Sequence, residues 1–459
     1  MKSNVESQHQ QQTELGSDLF TRRNFLHSTS AAVGAFSLAG QGGWLEAATT
    51  KKRRPKVAIV FTIFTHRSHG HVLIENFLEP YLFNGKLTDP GIDVVSFYGD
   101  QFPSGDMSRK VSKTYGVPLF KTIDEALCLG GKDLAVDAVL AIGEHGSYPS
   151  TEFGQVKYPR KRFFDEIVAV MKRSNCFVPL FNDKHLSYRW DWAKEMYDDS
   201  QQYGIPFMAG SSVPLAQRRP PLELPPGAEI EEAVSVHGGP VESYDFHGLE
   251  VLQSMVEARK GGETGISKVE FLDGPALLKA ANEGRFSIEL ANAAVKAELG
   301  DKTAEFLKTD GVGTKRTHGL LLTYKDGLKA TVLRMGKKST RWNFACRLKK
   351  DPKIHATAFY VGPWRNRNLF KALSHAIQHH FIHNKAPYPV ERTLLVTGVL
   401  ESAMKSRHNS GQPQTTPHLE FAYAPQDFRG VREMGASWKL ITEDLPEPEG
   451  FQNGRLKKK

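Results

Sequence analysis

Residues 178–212 read VPLFNDKHLSYRWDWAKEMYDDSQQYGIPFMAGSS. An apolar run ends at Phe181 and breaks into Asn182, Asp183, Lys184 and His185, four polar or ionisable residues where a strand turns a corner. A helical stretch follows, closed by Gly204, and IPFMAGSS then returns to β-rich composition. Strand, helix and strand in that order predict a parallel crossover. The same rhythm runs upstream. KVAIVFTIF (56–64), IDVVSFYGD (92–100) and VDAVLAIG (136–143) read as buried strands. Between them lie SHGHVLIENFLEPYL (68–82), with Ser68 as N-cap, and DMSRKVSKTYGVP (106–118), stopped by Gly116 and Pro118; RKRFFDEIVAVMKRS (160–174) follows the third strand.

The fold class is therefore α/β, with a Rossmann-like, doubly wound parallel sheet over 55–215. In such sheets a ligand lies beyond the carboxyl ends of the strands, where the strand order reverses. That rule puts Thr62–Ser68, Asp100, Glu144–Tyr148, Asn182–His185 and Ser211–Ser212 on one rim. The charged corner faces the crevice. His66, His69, Glu144, His145, Asp183 and His185 can converge there, either to ligate a divalent metal or to grip the hydroxyl groups of a ligand.

The succession VVSFYGD (94–100), SRKVSKTYGVPLFKTIDEAL (108–127), VDAVLAIGEHGSYP (136–149) and residues 178–210 resembles the glucose–fructose oxidoreductase/inositol dehydrogenase/MocA (Gfo/Idh/MocA) family. YGVPLFKTIDEAL ahead of DAVLAIG is the most characteristic piece. Where the family strand ends in Glu-Lys-Pro, this chain has Asp183-Lys184-His185. The resemblance implies an NAD(P)-dependent oxidoreductase of sugars or cyclitols. Lys184 would orient the substrate hydroxyl and Asp183 would hold Lys184. Glu144, His145 and His185 are expected to bind substrate. The chain departs from the family at the first turn. FTIFTHRSHG (61–70) stands where G-x-G-x-x-G lets the backbone approach a pyrophosphate. A dinucleotide would have to be met there by Thr62, His66 and Ser68, with Asp100 on the ribose.

Beyond the proline-rich crossing RRPPLELPPG (218–227), IEEAVSVHGGPVESYDFHGLEVLQSMVEARKGGETG (230–265) reads as strand, Gly-Gly turn and helix. It resembles the second family signature. His247 matches the histidine that would take the hydroxyl proton. Ser243 replaces the family's aspartate, and Tyr244 and Asp245 are counted with the substrate-facing groups. GLLLTYKDGLKATVLRMG (319–336) predicts a hairpin about Lys325-Asp326-Gly327. Two further strands and two closing helices complete a C-terminal α+β domain over 228–425. Its sheet is mixed and largely antiparallel, with one helix-covered face and one open face suited to a homo-oligomer interface. Residues 426–459 are expected to form a polar tail.

At the other end, Thr21-Arg22-Arg23-Asn24-Phe25-Leu26 and the Ala/Gly-rich segment after it resemble a twin-arginine export signal over 1–48. The translocase is then a partner, and the destination is the periplasm or cell envelope. The charge of +9 gathers in KKRRPK (51–56) and RLKKK (455–459), clusters typical of solvated ends. No nucleic-acid-binding signature accompanies them, so nucleic acid is not an expected partner. Cys128, Cys176 and Cys346 lack disulfide or metal spacing and are expected to be buried thiols. His375, His379 and His383 share a helical stripe but lack a glutamate base, so no metal is assigned to them. A second reading stays open beside the oxidoreductase. On the same fold, a protein without dinucleotide would bind carbohydrate, or act as a lyase, isomerase or hydrolase through the acidic and histidine rim.

Overall fold

The computed structural model describes residues 53–337 and 342–449. The export signal lies outside the described residues.

Apolar β-branched runs form the buried centre of the first sheet. Its six strands are β1 (Lys56–Phe61), β4 (Asp93–Gly99), β5 (Leu119–Phe120), β6 (Ala138–Ile142), β7 (Leu180–Asp183) and β8 (Phe207–Gly210). They are all parallel, in the order β5-β4-β1-β6-β7-β8. The order reverses between β1 and β6, so the crevice opens between the corners that follow those strands. The segment between the first helix and β4 forms a small hairpin, β2 (Tyr81–Phe83) with β3 (Lys86–Thr88). The helices of this half are α1 (His69–Leu78), α2 (Ser108–Tyr115), α3 (Ile123–Cys128), α4 (Arg160–Arg173) and α5 (Trp190–Gln202). Ser68 caps α1 through its side chain, and Gly116 ends α2 in the left-handed conformation, as the sequence predicts.

The second sheet has eight strands, β9 (Gln217–Arg219), β10 (Ile230–His237), β11 (Ile266–Asp273), β12 (His318–Tyr324), β13 (Lys329–Arg334), β14 (Trp342–Leu348), β15 (Ile354–Tyr360) and β16 (Gln414–Thr415). The order is β16-β11-β12-β13-β10-β14-β15-β9, and β10 with β13 is the one parallel pair. The sheet is mixed and mostly antiparallel, as expected. Helix α6 (Ser243–Val256) and the long C-terminal helices α10 (Asn366–His383) and α11 (Val390–His408) lie between it and the first sheet. Asn76 Nδ2 on α1 donates to Ser374 Oγ (3.0 Å), and Gln378 Nε2 donates to the Asn76 carbonyl (2.7 Å), which ties α10 to the first half. Phe246, Leu249, Val251, Leu395 and Val399 share one buried core with Val57, Ile59 and Phe61.

Three features differ from the sequence reading. The far face of the second sheet is not open. Helices α7 (Gly274–Asn282) and α8 (Ile288–Leu299) cover it, with Leu290, Ala291, Ala294 and Val295 packed against Val234, Val236, Leu333 and Ala345. These helices supply from within the chain the apolar partner that a second subunit would have provided. Residues 426–449 are not a solvated tail: Phe428, Val431 and Ile441 are buried, and Arg432 makes a bidentate contact with Glu223. Cys128 and Cys346 are buried, whereas Cys176 is exposed. Helix α9 (Thr303–Asp310) follows the covering pair, and no helix among the described residues is long and apolar enough to cross a membrane.

Candidate functional site

Three non-glycine residues on the rim take positive φ: Arg67 (61°), His145 (67°) and Lys184 (69°). Left-handed backbone costs such residues about 1–3 kcal/mol each and gathers where a fold fixes side chains for a task. The corner after β7 shows what this geometry achieves. Asp183 ends the strand fully buried, and its Oδ2 lies 2.6 Å from His69 Nδ1 on α1. Lys184 then turns inward. Its Nζ lies 3.1 Å from Glu144 Oε1 and donates to the Ser243 carbonyl (3.2 Å) at the start of α6. Arg160, the first residue of α4, grips the other Glu144 oxygen. Burial opposes ionisation of Glu144, but Lys184 and Arg160 prevail and hold its carboxyl well below the usual range.

A cavity of about 130 Å³ lies between the halves, lined by His69, His145, Ser212, Tyr244, His247, Trp342, Asn366 and apolar neighbours. His69 and His145 reach it from the parallel sheet, and Tyr244, His247 and Trp342 from the second domain. The Tyr244 and Trp342 rings stack at 5.0 Å and 7°. Burial and the neighbouring His69 push His145 down to about 4. Burial, Lys184 and His69 hold His247 well below the usual imidazole range. Both are neutral rings at neutral pH. His247 Nδ1 is buried with no partner among the described residues.

The structure thus brings Lys184, Asp183, Glu144, His145, Tyr244 and His247 together. It separates the rest. His185 is buried behind the cavity, with Nε2 3.1 Å from Arg160 Nη1 and 3.7 Å from Glu242 Oε1. A guanidinium at that distance disfavours a cation at His185, and the rim residues do not form a group of metal-ligand spacing among the described residues. Asp245 points away from the cavity. Its Oδ1 accepts from His237 Nε2 (2.8 Å) and His318 Nε2 (2.7 Å), and its Oδ2 from the Glu242 backbone (2.7 Å). This is the one group of metal-ligating type among the described residues. It fits a hydrogen-bonded clamp better than a metal. His237 Nδ1 accepts from the Gly239 N–H (3.4 Å), which puts the ring proton on Nε2, the atom that would have to ligate. The clamp holds α6 to the sheet, and through it Tyr244 and His247. His69, Arg160, Glu242, Ser212 and Trp342 are not among the site residues expected from the sequence, although His69 and Ser212 stand on the expected rim. A histidine at the first position of α1, opposite a strand-end aspartate, was the signal for it.

The dinucleotide groups fare differently. Thr62 is buried and its hydroxyl donates to the Glu144 carbonyl. Ser68 Oγ accepts from the N–H groups of Thr65 (3.1 Å) and His71 (3.3 Å), and the Arg67 N–H is turned to His71 Nδ1 (2.8 Å). His66 is exposed. Asp100 is engaged by Tyr98 (2.9 Å), Tyr148 (2.6 Å) and Arg162. Gln101 and Ser147 bond to each other across the crevice, 2.9 Å in both directions. A Cβ on Gly146 would stand 2.8 Å from the Tyr148 ring and 3.4 Å from Ile63, so the corners after β1, β4 and β6 interlock. Arg67 is neutralised by Glu447. Gly70 keeps one duty of the missing fingerprint, since a Cβ there would lie 2.5 Å from the Ile63 carbonyl. The amides and the acid that would receive a pyrophosphate and a ribose are already bonded within the chain, so these residues do not fit a dinucleotide.

No protein-family model matches the sequence, and no curated protein matches it. Solved structures do match the fold. Myo-inositol dehydrogenase from Lactobacillus casei, in complex with NAD(H) and myo-inositol, aligns at a TM-score of 0.52 and 12% identity over 82% of this chain and 100% of that one. GenD2 from gentamicin A biosynthesis, in complex with NAD, aligns at 0.50 and 12% over 83% and 99%. The chain shares the two-domain fold of these structures, a Rossmann-like parallel sheet joined to a mixed sheet. At this identity the likeness is one of fold.

Proposed function

We propose that the cleft takes a neutral polyhydroxylated ring, a sugar or cyclitol, and acts on it with the chain's own histidines and without a dinucleotide. The interlocked crevice carries this reading: the nicotinamide route is filled by Asp100–Tyr148, Gln101–Ser147 and Arg67–Glu447, while a cavity of single-ring size stays open beside it. Neutral imidazoles both donate to and accept from hydroxyls, and the Tyr244–Trp342 stack offers an apolar wall for the C–H face of a ring. Export by the twin-arginine route to the periplasm or envelope belongs to the same reading, on the strength of Arg22-Arg23 and the segment after it. A protein that works there without a diffusible nicotinamide is chemically consistent with that destination.

A second reading keeps hydride transfer, with a tightly held NAD(P). The buried Lys184 beside α6 favours it, as do two fold neighbours whose structures contain NAD or NAD(H). One experiment separates the two. The purified full-length chain is denatured and its extract analysed for NAD(P) by mass spectrometry, while myo-inositol and related cyclitols are titrated calorimetrically. The expected result is ring binding with no dinucleotide. Stoichiometric NAD(P) in the extract would overturn the first reading and establish the second.

A further inference from the structure

Resting on the cofactor-free reading of the cleft, we infer that His69, held by Asp183, is the general base of a proton-transfer reaction on a keto-sugar or keto-cyclitol. The cavity wall contains one imidazole oriented by a carboxylate. His69 Nδ1 lies 2.6 Å from Asp183 Oδ2, and Asp183 is completely buried, with no partner among the described residues for Oδ1. The carboxylate can only accept, so Nδ1 carries the proton. The lone pair of Nε2, which has no hydrogen-bond partner among the described residues, is then left to the cavity that His69 lines. Lys184 cannot serve in this way. Its ammonium is bonded to Glu144 and to the Ser243 carbonyl, and it is not part of the cavity wall.

Across the cavity stands His247, a neutral imidazole on α6. A neutral ring is a weak acid well matched to a developing enolate oxygen, since it donates without becoming a strong acid itself. The step balances without an oxidant. His69 Nε2 takes the proton from the carbon next to the carbonyl. The C–H electron pair becomes the C=C bond of an enediol, the carbonyl π pair moves to oxygen, and His247 supplies the hydrogen bond or proton to that oxygen. Return of the proton from His69 to the neighbouring carbon, while the second enediol hydroxyl gives its proton to His247 in place of the one donated, moves the carbonyl by one carbon; return to the same carbon from the same face gives hydrogen exchange alone. The net reaction is isomerisation of an α-hydroxy ketone. His145, Glu144, Lys184 and His247 are the other titratable groups facing His69, and Glu144 with Lys184 forms an internal ion pair.

The test uses the full-length protein and an inosose, a keto-cyclitol, in D₂O. Binding is measured by calorimetry, and exchange of the hydrogen next to the carbonyl by proton NMR against the uncatalysed background. Wild-type protein is expected to accelerate exchange, and His69→Gln to lower that rate by at least 100-fold with ring affinity held within about threefold. Asp183→Asn, a change at a positioning residue, is expected to lower the rate and to displace the acidic limb of its pH profile, which a purely structural loss would not do. Binding without exchange, or exchange unaffected by His69→Gln, overturns the inference and leaves the cleft assignment standing. Absence of binding by inosose and by cyclitols overturns both.

Discussion

The corners after β1 and β7 end strands of one sheet on one rim, yet they have had opposite fates. After β1, most groups that a cofactor would use are bonded within the chain: Thr62 to Glu144, the Thr65 amide to Ser68, and the Arg67 side chain to Glu447, while His66 stands exposed. After β7, Asp183 and Lys184 are equally buried but point their charge toward the junction with α6 and the cavity beside it. Burial alone does not distinguish a retired site from a working one. What differs is where the unsatisfied valence lies. The first corner has been closed by its neighbours, while the second leaves an imidazole edge facing an opening. On the reading proposed above, the crevice keeps only its substrate half.

The largest effect expected from this comparison is at Lys184. Lys184→Met leaves Glu144 buried with Arg160 alone, and removing one partner of a buried pair typically lowers unfolding stability by about 3–5 kcal/mol. Urea unfolding of the single variant and of Lys184→Met/Glu144→Gln measures it, and the double variant is expected to recover part of the loss. A change near zero in the single variant would mean that the ammonium is not held as described, and the contrast between the corners would fail.

Next in size is a pH effect at Glu242, which caps α6 against the same cluster. Burial pushes its carboxyl up to about 7, with Lys184 opposing and Glu144 adding to the rise. A folded-state value above the unfolded one means that the protonated acid stabilises the fold. That contribution is complete below the ordinary carboxylate range and is lost as pH rises toward about 7. Between about pH 4.5 and 7.5 the wild type is expected to lose stability relative to Glu242→Gln, on the order of 3 kcal/mol in all. Glu250, also raised to about 7, is common to both proteins and cancels in the difference. A flat difference would show that Glu242 is ionised throughout, with Lys184 nearer to it than to Glu144.

Much of the fold was legible because it rests on periodicity. Val57–Phe61, Ala138–Ile142 and Leu180–Asp183 announce themselves as buried parallel strands, and Ser68 and Gly116 mark helix ends by their own chemistry. The rim followed from topology, and with it Asp183, Lys184, Glu144 and His145. What escaped depends on distances that no local pattern encodes. Whether Asp245 faces a ligand or a sheet was decided by His237 and His318, which are 8 and 73 residues away. Arg160 lies over Gly143, where a Cβ would come within 2.6 Å of its Cγ, so a glycine at the strand end admits a charge from the next helix. The helices over 274–299 carry an amphipathic face, but nothing in that face indicates which surface it covers.

The smallest effect tests the retired corner directly. Asp100 ends β4 where a ribose-binding acid would stand, and its carboxylate accepts from Tyr98, Tyr148 and Arg162. Arg162 is 42% exposed and has Glu166 as a second partner at 3.1 Å, so the pair is worth little. Asp100→Asn keeps the shape and removes the charge. It is expected to lower stability by about 1 kcal/mol and to leave inosose affinity unchanged, because none of its contacts reaches the cavity. A dinucleotide-dependent protein would respond otherwise: loss of the acid would weaken NAD(P) binding tenfold or more while stability barely moved. Equilibrium dialysis of wild type and variant with NAD and NADP, beside their urea curves, distinguishes the two. NAD(P) bound by wild type and released by Asp100→Asn would mean that the interlock at Gln101, Gly146 and Tyr148 is a gate that opens, and that the two corners work together after all.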